Sequence, residues 1–66
     1  MKLVEVLQVV NPSTTVFLGQ KVDDRIFWVN LDHALKNTRR KMNFDLTVIE
    51  IDNGNQCLNV IVEGRL

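Results

Sequence analysis

Few residues in this chain could carry chemistry, and their spacing decides what chemistry that would be. His33 is the single histidine and Cys57 the single cysteine among 66 residues. On a helix, His33 would have Lys36 and Asn37 at i+3 and i+4, both poor metal ligands. A zincin-type helix needs a second histidine four residues on. His33 therefore reads as a plain surface histidine. Cys57, in the strand expected around it, points into an apolar face, where a thiol is inert. The carboxylates Asp23, Asp24, Asp32, Asp45, Glu50, Asp52 and Glu63 are scattered, and no two are set by spacing as acid and base. Asp52-Asn53-Gly54-Asn55 shares letters with a calcium loop but lacks its alternating acids and distal glutamate. The expectation is no catalytic residue, no cofactor and no metal, and a chain too short to enclose a substrate pocket of its own.

One charged stretch remains. Lys36, Arg39, Arg40 and Lys41 place four positive charges together with no acid among them. A basic helix end of this kind could hold phosphates through non-specific contacts. Its plainer role is to neutralise a helix C-terminus and keep one face wet. On a helical wheel the four bases splay around the outer half, and no aromatic residue alternates with them. They stand as the candidate contacts to a partner or to phosphate.

The elements that must position these residues begin with Phe44–Glu63. Two β-rich runs there flank Asp52-Asn53-Gly54-Asn55, and Asn-Gly is a strong hairpin signal because both residues tolerate positive φ. With Asn53-Gly54 as the turn, Ile51 faces Gln56, Ile49 faces Leu58, Thr47 faces Val60 and Asp45 faces Val62. One side of that ribbon carries Ile49, Ile51, Leu58, Val60 and Val62. The other carries Phe44, Leu46, Val48, Cys57 and Ile61. Both sides are apolar, whereas a ribbon with one wet face alternates cleanly.

Residues 2–10 hold four valines in nine positions, which favours a strand. A helix is the rival, because Leu3, Val6, Leu7 and Val10 also fall at i, i+3, i+4 and i+7. Asn11-Pro12-Ser13-Thr14 reads as a turn closed by side-chain hydrogen bonds. Strands are expected at about 15–22 and 25–29, joined through Asp23-Asp24, which sets Gly19 opposite Trp28 so that the indole can fold over the glycine. One long helix from Asp24 to Met42 is the alternative, but Ile26 to Val29 would wrap most of the way round it. Residues 31–42 read as a helix capped by Asn30, with Leu31, Ala34, Leu35, Thr38 and Met42 as its buried stripe. Phe27 and Trp28 read as core rather than as a stacking platform.

The fold class expected is therefore α+β: a small antiparallel sheet in the order β-β-β-α-β-β, with one short helix packed on one face. The 45% hydrophobic and 24% charged composition is that of an ordinary globular chain. Zero formal net charge removes any global electrostatic case for nucleic acid or membrane. A single cysteine excludes an intrachain disulfide, and no apolar run reaches membrane-spanning length. No signal peptide is read at Met1-Lys2, and a cytoplasmic location is the default. A three-turn helix cannot cover both sides of strands that are apolar on both. The second side must be closed by strong curling of the sheet or by another chain. The functional expectation is a single-domain, non-enzymatic, self-associating interaction or regulatory module, with a dimer favoured and an unidentified protein partner also open. A nucleic-acid-binding accessory protein is the alternative.

Overall fold

A computed structural model describes residues 1–11, 13–32, 44–54 and 56–66. Helix α1 spans Leu3–Val9, and strands β1, β2, β3 and β4 span Thr15–Val22, Arg25–Asn30, Val48–Gly54 and Cys57–Glu63. The chain is α+β, as expected, but residues 2–10 form the helix rather than a strand. Valine's preference for strands spans only about 1 kcal/mol and yields to context. Here the context is strong. Leu3 and Val6 are buried on the sheet-facing side of α1, while Leu7 and Val10 pack beside them. The amides of Leu3 and Val4, which a helix cannot satisfy internally, donate to the carbonyls of Leu46 and Phe44 at 2.9 and 3.0 Å. Glu5 reaches back to accept the Lys2 amide at 3.0 Å, one half of a capping box. A lysine side chain has no acceptor with which to complete the other half.

The Asn11–Thr14 turn forms as expected. Asn11 Oδ1 accepts from the Ser13 amide and hydroxyl at 3.0 and 2.9 Å, and Thr14 N donates to Asn11 O at 2.9 Å. β1 and β2 pair antiparallel with Gly19 opposite Trp28 and Val22 opposite Arg25. Asp23 supplies the positive φ, 56°, that a two-residue turn needs.

The sheet order is β2-β1-β4-β3. The two inner strands, β1 and β4, run parallel, so the sheet is mixed and not purely antiparallel. Each hairpin contributes its more buried strand to the centre. Parallel neighbours need a connection of a dozen or more residues, and the chain between Asn30 and Val48 supplies that length. The sheet stays open with β2 and β3 as its edges, and it is not strongly curled. Leu31 and Asp32 are helical and Leu31 is buried. The rest of the helix expected over 31–42 lies outside the described residues.

The second hairpin keeps its partners but not its expected register. Its strands run through to Gly54 opposite Cys57, and Gln56 carries the positive φ, 59°. Thus the turn is two residues later than Asn53-Gly54. In the expected register Asp45 would lie against Val62. In the observed one, aided by a bulge between Val48 and Glu50, Val48 takes that place. A buried valine gains an apolar neighbour in place of a carboxylate, which outweighs the local turn preference of Asn-Gly. An even shift leaves every β4 side chain on its expected face.

Candidate functional site

In register across four strands, Trp28, Gly19, Ile61 and Glu50 form one row. The row beside it holds Asn30, Phe17, Asn59 and Asp52, and on the other side lie Ile26, Lys21 and Glu63. Alternation along a strand sends these side chains to one face and their neighbours to the other. The other face is the core. Val16, Leu18, Leu58, Val60 and Val62 are buried there, together with Leu3 and Val6 of α1 and with Leu31 and Leu46. The C-terminal residues finish that cover. Gly64, at φ 100°, donates to Lys21 O at 2.9 Å and turns the chain back. Leu66 N then donates to Gln20 Oε1 at 3.0 Å, and the Arg65 guanidinium sits 5.0 Å from the Phe27 ring centroid.

The first face has no such cover among the described residues. Trp28 is 51% exposed, Ile26 41% and Phe17 37%, and Ile61 is half-buried. Gly19 accounts for the shape of this surface. A Cβ placed there would lie 2.9 Å from Ile26 Cγ2 and 3.1 Å from Trp28 Cη2. The missing side chain lets the β2 side chains lean inward across β1. Beyond the indole lies a notch of about 200 Å³ lined by Trp28, Ile61, Asn59, Glu50 and Asp52. Apolar surface thus occupies the β2, β1 and β4 part of the face, and carboxylates occupy the β3 edge. Lys21 and Glu63 stand side by side at one end of the central strands, both exposed.

A second hollow, about 390 Å³, lies on the core side between α1 and the second hairpin, walled by Val6, Val9, Val10, Ile51 and Leu58. Met1 and Glu5 complete its lining, and Glu5 is the one polar side chain among them, with no second polar side chain converging on it to orient a ligand. No chemistry is legible there.

Of the residues singled out by type, His33, Lys36, Arg39, Arg40 and Lys41 lie outside the described residues. Cys57 is half-buried at the quiet end of the open face, beside Thr15 and Gly54. Glu50 lies opposite Ile61. Asp23 and Asp24 form the expected turn. Among the described residues no group of three or more His, Cys, Asp or Glu side chains could hold a metal ion, and no helix is long and apolar enough to cross a membrane. Trp28 and Phe27 are not core residues as expected. Both are exposed, on opposite faces. The signal for the open face was the even spacing of Ile26 and Trp28 on one strand against Phe17, Gly19 and Lys21 on its partner.

The chain matches no protein-family model, no curated protein and no solved structure. What the open face can do has to be read from its own geometry.

Proposed function

We propose that this chain is a non-enzymatic interaction module that associates with itself through the open face of its sheet. The observation that carries the reading is the apolar row and its neighbours that no described residue covers: Phe17, Ile26, Trp28 and Ile61, gathered around the Gly19 gap. Each large apolar side chain withdrawn from water contributes about 1.5–3 kcal/mol. Monomeric proteins seldom leave such groups contiguous and wet. Strand spacing and rise give the face a footprint of about 19 by 23 Å, roughly 400 Å² per copy before side-chain relief. That places the contact among small, reversible interfaces rather than obligate ones. Association costs at least about 4 kcal/mol of lost freedom, so micromolar affinity is the expectation.

Sedimentation velocity across about 1 to 200 µM, the range a small interface implies, should show a shift from monomer to dimer. Trp28 is the only tryptophan, so its emission should move to the blue over the same range. Trp28→Ser should weaken association at least about tenfold, the effect of losing about 1.4 kcal/mol, while the covered core keeps the subunit folded. A monomer at every concentration, with emission that never moves, would reject the reading.

A further inference from the structure

We infer that the two copies meet about a two-fold axis running along the strands, so that β1 of each copy lies over β4 of the other and β2 lies over β3. This rests on the self-association proposed above and adds its geometry. Two like sheets packed face to face keep their strands roughly aligned, and an isologous contact must be related by a two-fold axis lying between them. An aligned pair offers two such axes, one across the strands and one along them.

Charge separates the two. An axis across the strands stacks each strand on its own copy. It sets Glu50 and Asp52 of β3 against the second copy's Glu50 and Asp52. The cations of the described open face are Lys21, which lies on β1, two strands away, and Lys2, whose Nζ is held on Thr47 Oγ1 at 3.4 Å beyond the β3 edge. Like charges brought together across an interface cost several kcal/mol in the general case. An axis along the strands brings no acid against an acid. Strand β3 then meets β2, whose contributions to this face are Ile26, Trp28 and Asn30. In the centre, Lys21 of each copy meets Glu63 of the other, twice by symmetry. In the next row Ile61 of each copy meets the other's Gly19, where the absent side chain leaves room for it. The indole of each copy meets the other's Glu50, a hydrogen-bond acceptor for an N–H that needs one when buried.

Two charge variants test the axis. Lys21→Glu and Glu63→Lys should each self-associate about tenfold more weakly than the parent, since two like-charge contacts replace two attractive ones. Mixed one to one, they should form heterodimers with an affinity within about threefold of the parent, because each mixed pair restores both contacts. Native mass spectrometry of the mixture reads this directly, and circular dichroism confirms that each variant is folded. A second mixture is independent of that pair. Glu50→Lys mixed with the parent should give statistical proportions of the three dimers, because Glu50 faces no charge of the second copy. Enrichment of the mixed dimer there, or a failure of Lys21→Glu and Glu63→Lys to pair while the parent still dimerises, would overturn the axis and leave self-association standing. A monomeric parent would remove both.

Discussion

The two faces of this sheet are made by the same four strands, with side chains alternating residue by residue, yet they meet different fates. Leu18 and Gly19 are adjacent in β1. Leu18 is wholly buried beneath the cover that α1, Leu31, Leu46 and the C-terminal residues provide. Gly19 looks the other way, onto Trp28 and Ile26, with nothing described above them. The covered face is where the chain spends its local structure: a half capping box, two hydrogen bonds from the helix to the segment before β3 and a positive-φ glycine all serve it. Among the described residues the open face is given no such devices. It is shaped instead by an omission, the side chain that Gly19 lacks. The difference teaches that the described residues build one lid, over the face of Leu18, and leave the apolar surface around Gly19 without one.

Deleting side chains from one face and then the other should give opposite profiles. Leu18→Ala removes a fully buried side chain, and such losses cost roughly 2–5 kcal/mol. Small domains hold on the order of 5 kcal/mol in all, so this variant should be largely unfolded, as a urea titration followed by circular dichroism would show. Ile61→Ala, on the half-buried side, should cost about 1 kcal/mol or less of subunit stability and show its larger effect in self-association. Equal destabilisation by the two would mean that the faces are not the distinct environments drawn here.

The comparison also separates what the sequence made legible from what it did not. The first hairpin was legible because its signals are local: two short runs at 15–22 and 25–29, the Asp23-Asp24 turn between them, and an indole opposite a glycine. The helix at Leu3–Val9 was not. Four valines favoured a strand, and the hydrogen bonds that anchor the helix come from Phe44 and Leu46, far along the chain. The second hairpin was legible in the faces of β4 but not in its turn, nor in the bulge that carries Leu46 and Val48 from the side of Ile61 to that of Val62. Asn53-Gly54 is the better turn locally, yet the pairing of Val48 with Val62 decides. The parallel contact of β1 with β4 could not be read at all, because no residue between them announces which strands become neighbours. Two-sided apolarity was the sequence feature that pointed to the open face, although Trp28 itself was expected inside.

Gly19→Ala sharpens the contrast at its narrowest point. The new Cβ would press on Ile26 Cγ2 at 2.9 Å and on the indole at 3.1 and 3.2 Å, and overpacking of this kind costs typically about 1–3 kcal/mol. The side chains it meets are exposed and free to lean away, which favours the lower end. Expected are a stability loss of about 1 kcal/mol, a change in the near-ultraviolet signal of Trp28, and weaker association. An unchanged tryptophan signal would show that Gly19 does not position the ring.

On the covered side, Gly64 holds φ at 100° and packs against Leu46. Gly64→Ala should cost about 1 kcal/mol through backbone strain and loosen the C-terminal cover at Gln20 and Phe27. Amide exchange at Leu66 should rise while that of β4 holds. An unaltered exchange rate at Leu66 would mean that the turn is held by something other than this glycine.

The smallest effect expected is at Glu5, whose carboxylate accepts the Lys2 amide at the start of α1. Glu5→Ala removes that bond on an exposed surface, a loss of about 0.5 kcal/mol at the low end of capping effects. Hydrogen exchange should quicken in α1 and leave β1 and β2 unchanged, because Leu3 and Val4 keep their bonds to Leu46 and Phe44. Self-association should not change. α1 lies over the face opposite Trp28, so a measurable drop in dimerisation on Glu5→Ala would place the helix side in the interface and erase the division between a lidded face and a contact face.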